Sequence, residues 1–237
     1  MVTIKDLVNI GKKYLKSNKT KNFKLPVSLG EAIDKLTILD IKCDNIKDHR
    51  KIEVQKEYDI LYEKLKEFIE KYHALYESMK KINVIIWEQM DILRDEAISD
   101  DYYIKLCKEC VESNDVRFRI KNKINLISNS ELKEQKSYKI KRLIIELNCN
   151  EDCLPLFIDP IKYFSYIYDE IIIYSSKDIH LITDTFYYDN TIKYNNIGFK
   201  ETDIEFKDKF VFNRETYTIN EIYEIMSINK EKLDLYN

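Results

Sequence analysis

The sequence predicts an α+β protein: an N-terminal antiparallel helical bundle followed by a small α/β domain containing a βαβ unit. Three observations predict it. Between residues 29 and 127, apolar side chains recur at the spacing of one helix face. From Arg142 onward the pattern changes to short continuous apolar runs, such as Arg142–Leu147 and Glu170–Tyr174. Charge shifts at the same place: residues 1–147 carry 30 basic and 25 acidic side chains, residues 148–237 carry 9 and 17, so the net −3 divides into +5 and −8. The expected division is a basic N-terminal arm at 1–24, a helical bundle at 25–141 and a small α/β domain at 142–237.

The arm holds seven lysines and one acid, the composition of a solvated tail or of a segment that touches an acidic partner. The best-marked helix follows, Pro26 to Lys42. Ser28 and Glu31 form a capping-box pattern, and Leu29, Ala32, Ile33, Leu36, Leu39 and Cys43 make its face. The next elements look built to cover it. Val54, Tyr58, Leu61, Leu65, Phe68 and Tyr72 give one seam; Leu75, Met79, Ile82, Ile86, Met90, Leu93 and Ala97 give another. No Gly or Pro separates them, so the turn is placed only loosely, at Lys71–Ala74, with one continuous helix as the alternative. Asp100-Asp101 caps a long helix over Tyr102–Ile127, which ends at Ser128–Ser130, and a short helix is expected from Glu131.

In the second half, Arg142–Leu147 reads as a strand, Asp159-Pro160 as a helix start, and Glu170–Tyr174 as a strand buried on both sides. Together they predict one right-handed βαβ unit. Ile179–Tyr188 and Phe210–Phe212 are expected as further strands. Thr218 and Glu221 form a second capping box, ahead of a helix with Ile222, Tyr223 and Met226 on one face.

Composition excludes several classes. Hydrophobic residues at 44% and aromatics at 12% specify a folded chain. Only 3 glycines argue against a glycine-rich phosphate loop. No apolar run is long enough to span a membrane, Met1–Phe23 lacks a secretory pattern, and five cysteines suit a reduced, cytoplasmic protein. The −8 of residues 148–237 disfavours nucleic acid there. Abundant Ile, Lys, Asn and Tyr reflect the codons of an AT-rich genome, such as a large DNA virus, a protist or a low-GC bacterium.

The candidate polar pocket consists of Asp34, Lys35, Trp87, Glu88, Asp91, Arg94, Asn114 and Arg117. Asn114, Arg117 and Lys121 continue the seam that starts at Cys107 and Cys110, and polar groups on a seam must find partners or stay wet. Facing Asp34 or Glu88, they form either a pocket for an anionic or polyhydroxyl ligand or a register-fixing network. Trp87, the only tryptophan, walls that pocket or packs in the core. Glu31, Asp34, Glu88 and Asp91 also have the spacing of paired helical carboxylates that hold Mg2+, similar to the all-α nucleotide pyrophosphohydrolases. Capping and surface ion pairs explain them equally, so no metal or cofactor is expected, with Mg2+ as the alternative. Cys107, Cys110, Cys149 and Cys153 number enough for a structural zinc, but the first pair lies inside a helix and buried thiols are expected instead. His49, His73 and His180 sit in no catalytic signature. Tyr163, Phe164, Tyr166, Tyr168, Phe186, Tyr187 and Tyr188 make either core or an aromatic contact surface.

The stretch Pro26-Val27-Ser28-x-Gly30-Glu31-x-Ile33-Asp34-Lys35-x-Thr37-Ile38-Leu39-x-Ile41-Lys42 resembles the opening of an uncharacterised family of small helical bacterial proteins, a domain of unknown function. Asn83-x-x-x-Trp87-Glu88 with Asp91 and Arg94, Asn114-Asp115-x-Arg117, and Glu134-x-Lys136-Ser137-Tyr138 continue the resemblance over about residues 25–140. Such genes tend to accompany glycosyltransferase and cell-surface polysaccharide genes. The resemblance therefore implies a glycan-related setting and supplies no reaction. The expected function is a non-catalytic interaction or accessory protein of glycan biosynthesis, with self-association or a protein partner. The alternative is an enzyme acting on a phosphorylated or nucleotide-sugar substrate in the polar pocket.

Overall fold

Among the described residues four helices come first: α1 (Leu29–Asn45), α2 (Lys51–Lys71), α3 (His73–Ile92) and α4 (Asp100–Ile127). They belong to a computed structural model that describes residues 25–95, 97–137, 140–195, 208–229 and 233. The basic arm, and Tyr138 of the last motif, lie outside the described residues.

A helix start leaves backbone N–H groups without intrahelical partners, and α1 fills them from two sources. Ser28 Oγ accepts from Glu31 N–H at 3.1 Å. Half of the expected capping box is missing, because Glu31 turns away to Lys121 Nζ at 3.0 Å. The end of α4 supplies the rest: Gly30 N–H donates to Asn125 Oδ1 at 2.7 Å and Leu29 N–H to Ser130 Oγ at 3.4 Å. A Cβ at Gly30 would stand 2.4 Å from the Lys121 carbonyl oxygen, so only glycine permits this approach. α1 lies against α2, α3 and α4. It is therefore buried on more than its apolar face, with Asp34, Thr37 and Ile41 inside alongside Ile33 and Leu36.

The break between α2 and α3 falls at Tyr72, within the expected turn. α2 fully buries only Leu65 and Ile69; Tyr58, Leu61 and Phe68 pack partly, while Ile52 and Ile60 are exposed. Ser99, rather than Asp100-Asp101, caps α4; the two aspartates occupy its first turn, where they favour the positive helix end. The helix expected from Glu131 does not form. Residues 131–137 contain neither helix nor strand, and the reason is geometric. Glu134 pairs with Lys121 and Lys136 with Asp115, both on α4. An extended chain points residues two apart the same way, whereas a helix would splay them.

The second half holds β1 (Arg142–Leu147), a 3-10 turn (Glu151–Phe157), α5 (Ile158–Ile167), β2 (Glu170–Tyr174), α6 (His180–Thr185), β3 (Ile192–Asn195), β4 (Asp208–Phe212) and α7 (Ile219–Ile225). All strand pairs are parallel, in the order β3-β2-β1-β4. The βαβ unit is β1–α5–β2. One face of the sheet is apolar: Leu143, Ile145, Ile171, Ile173, Ile192 and Phe212 join Phe157, Ile161 and Ile182 in one core. The other face carries cross-strand ion pairs, Lys193 and Arg142 to Glu170 and Lys209 to Glu146. β2 is thus fully apolar on one side only, not both. Thr218 and Glu221 complete the second capping box.

Two local expectations fail. Residues 180–185 are helical, not a strand. Ile179, Ile182 and Phe186 reach the core at helical intervals, and Asp178 Oδ1 accepts from His180 N–H at 2.8 Å at the helix entry. Asp159 is not a cap either. α5 runs on from the 3-10 turn, which places Asp159 and Pro160 inside its first turn.

The two halves meet on α4. Its Val116, Ile120 and Ile124 enter the helical core, which also receives Tyr166 from α5. Its other side buries two cations. Arg119 Nε donates to Asp169 Oδ1 at 2.8 Å and Nη1 to the Tyr166 carbonyl at 3.3 Å. Lys123 pairs with Asp189, both almost wholly buried, and lies over the Tyr166 ring at 5.2 Å. Burial pushes the Lys123 ammonium below its ordinary value against the pull of Asp189.

Gly30→Ala should lower unfolding stability by about 1–3 kcal/mol, because a backbone oxygen must move; urea denaturation measures it. Asp189→Asn should cost more, about 3–5 kcal/mol, by leaving a buried cation without its counter-ion. The same titration checks it, and an unchanged midpoint would refute the pairing.

Candidate functional site

Asn83, Ile86, Trp87 and Met90 are spaced along one face of the second half of α3, and Arg94 follows in the turn after it. Together with Ile38 and Ile41 of α1 and Arg117 of α4, they line an open cavity of about 450 Å3, with Asp91 at its edge. Its walls are mostly apolar, and its polar groups converge from two helices.

The floor is a buried network. Asn83 Nδ2 donates to Asp34 Oδ1 at 2.8 Å and to Thr37 Oγ1 at 2.9 Å, and Thr37 Oγ1 donates to the Asp34 carbonyl at 2.9 Å. Burial raises the Asp34 carboxyl above its ordinary value; the Asn83 hydrogen bond and the charges of Arg117 and Lys121 oppose that without overcoming it. Arg117 is half-buried and, among the described residues, makes no hydrogen bond or ion pair. A guanidinium that has lost part of its water and gained no protein partner has free donors to offer an anion. Arg94, at the rim, donates to the Met90 carbonyl at 2.9 Å and to Asp91 Oδ1 at 3.2 Å. That pair is exposed and correspondingly weak.

The structure sorts the sequence candidates. Trp87, Asp91, Arg94 and Arg117 line one cavity, and Asp34 sits directly beneath Asn83. Three candidates fall elsewhere. Lys35 points outward to Glu57 at 2.5 Å. Glu88 is exposed. Asn114 is turned back on its own helix, donating Nδ2 to the Cys110 carbonyl at 2.8 Å. The carboxylates do not gather: Glu31 pairs with Lys121, Asp34 with Asn83 and Asp91 with Arg94. Among the described residues no group of three or more His, Cys, Asp or Glu side chains is placed to hold a metal ion. The cysteines are free, and Cys110 Sγ lies 3.9 Å from Met90 Sδ. Tyr163, Phe164, Tyr166, Tyr168 and Phe186 are core residues, while Tyr187 and Tyr188 are exposed. Sequence reasoning missed Asn83 as a member of the site. The signal was its position one helical turn before Trp87.

Residues 23–152, more than half of the chain, match a family of unknown function, DUF6165. The chain belongs to the DUF6165 family. The matched span contains every lining residue of the cavity and extends past α4 through β1 into the 3-10 turn. No curated protein and no solved structure matches the chain. In this DUF6165 protein, as in the sequence reading, the family supplies no reaction, so the site's chemistry rests on its geometry.

The raised Asp34 carboxyl has a measurable sign. A carboxyl that holds its proton more tightly when folded loses stability as pH rises from its ordinary 3.8 through the folded value. Asp34→Asn keeps an acceptor for Asn83 and removes that loss. The variant's stability relative to the parent should therefore increase with pH across that window and level off above it; denaturant titrations at stepped pH check this.

Proposed function

We propose that this protein is a non-catalytic accessory protein of glycan assembly that holds a sugar phosphate or sugar nucleotide in the α1–α3–α4 cavity. The supporting observation is Arg117, a half-buried cation that makes no hydrogen bond or ion pair among the described residues, at a cavity walled by the only tryptophan. The resemblance to bacterial proteins whose genes accompany those of glycosyltransferases supports that setting, and the five free cysteines support a cytoplasmic location. No helix among the described residues is long and apolar enough to cross a membrane. The reading takes residues 25–141 as an antiparallel bundle and 142–237 as a separate small domain. Contact with a protein partner or a second copy uses the bundle's exposed apolar side chains, Ile52 and Ile60 on α2 and Ile104 and Val111 on α4.

A second reading, an enzyme acting on the same substrate class, is favoured by one observation: a carboxyl kept protonated above its usual range beside an arginine, as general acids are. Asp34 would then give its proton from Oδ2, the oxygen that Asn83 does not occupy, to the leaving oxygen of a substrate, once a rearrangement brings that oxygen to the cavity.

A thermal-shift screen against sugar phosphates and sugar nucleotides, with and without Mg2+ or Mn2+, tests both. A ligand bound only by the folded form raises the melting temperature. The expected outcome is a shift with intact ligand recovered afterwards, and no shift with Arg117→Ala. Consumption of the ligand, abolished by Asp34→Asn, would replace the first reading with the second. No shift with any member would remove both.

A further inference from the structure

The polar inventory of the cavity is too small for a sugar. A sugar ring presents several hydroxyls, each needing a partner when buried. Here Asn83 has already spent both amide N–H groups, on Asp34 and Thr37. Arg94 and Asp91 are engaged with each other. What remains away from solvent is the Arg117 guanidinium and the Asn83 carbonyl oxygen, set among Ile38, Ile86, Trp87 and Met90, while the unspent Nε and Nη2 of Arg94 and one Asp91 oxygen lie at the exposed rim. An apolar slot with an indole wall, one acceptor at its floor and one cation suits a flat heteroaromatic ring carrying an anionic group.

We infer that the cavity takes the nucleotide end of its ligand: a nucleoside diphosphate, free or as part of a sugar nucleotide. The base stacks on Trp87, a ring N–H or amino group donates to Asn83 Oδ1, and a phosphate accepts from Arg117. The sugar of a sugar nucleotide stays outside, in solvent. The volume of about 450 Å3 is of the right order for a nucleotide. Asn83 is held in one orientation by its two donated bonds, and with its nitrogen committed only its carbonyl oxygen is left to a ligand. This orientation discriminates. It favours bases that offer a donor at that point and rejects those that offer only acceptors there.

The inference rests on the proposed cavity ligand, and the test separates the two. Trp87 is the only tryptophan, so tryptophan-selective fluorescence reports on this cavity alone. The full-length protein is titrated with a panel of purine and pyrimidine nucleoside diphosphates, matched sugar nucleotides, sugar 1-phosphates and inorganic phosphate. Stacking should quench the signal with a nucleoside diphosphate and its sugar nucleotide at similar midpoints, and not with sugar 1-phosphate or phosphate. Arg117→Gln, which removes no hydrogen bond or ion pair among the described residues and otherwise only a charge acting on Asp34, should weaken binding by about tenfold or more with at most a small change in melting temperature. Trp87→Phe, followed by calorimetry, should retain binding. Sugar 1-phosphates that bind as well as the sugar nucleotides, with nucleoside diphosphates inert, overturn the inference and leave the cavity reading standing. Binding of none of the panel overturns both, and binding unaffected by Arg117→Gln overturns the assignment of the phosphate.

Discussion

The helical half depends on how closely α1 lies on α4. At Gly30 the two backbones are separated by less than a methyl group requires. The approach is held by Asn125, which carries the α1 N–H, and it leaves the Asn125 amide nitrogen buried without a partner among the described residues. A helix start that takes its cap from another helix is fixed in position and in rotation. With α1 so fixed, Asp34 and Thr37 face α3 and receive Asn83, and Ile38 and Ile41 face the gap next to Arg117. The cavity is the space left over where α3 runs past that contact.

α4 also has a second obligation. Most surface helices bury one stripe, but this one is buried nearly all round from Val116 to Asn125. The apolar members face α1 and α3. The cations Arg119 and Lys123 face α5 and the loop ahead of β3, where Asp169 and Asp189 wait. Buried ion pairs add little net stability over apolar substitutes, yet they are intolerant of a wrong partner. Here they fix which way the sheet layer docks. Arg119 further binds the Tyr166 carbonyl, and the Tyr166 ring enters the helical core, so the two cores share a side chain as well as a helix.

What was legible in the sequence follows the same physics. Elements with a strong local pattern were readable: α1, α3, β1 and β4 stand close to where periodicity and capping residues put them. Elements shaped by distant partners were not. Nothing local in Ile179–Tyr188 distinguishes a one-and-a-half-turn helix from a strand until the core positions are known. Residues 131–137 carry helix-favouring Glu and Lys, and lose that preference to ion pairs with α4. Of the candidate residues, Trp87, Asp91, Arg94 and Arg117 lie around one cavity, where the spacing on regular helices brings them. Lys35 and Asn114 are drawn off it by their own partners, Glu57 and the Cys110 carbonyl, and Glu88 is the exposed neighbour of Trp87. Arg119 and Lys123 were overlooked as buried charges, since their partners lie 50 and 66 residues away.

The sheet order has an implication for modularity. β1 is flanked on both sides, by β2 and by β4, and both neighbours lie beyond residue 152, where the DUF6165 match stops. A fragment trimmed to that boundary would end in an apolar ribbon whose two edges have no backbone partners. Such a ribbon recruits whatever strand it meets, including its own kind. In this chain both edges of β1 are covered by strands from residues 153–237, so the matched segment depends on the unmatched one for its sheet.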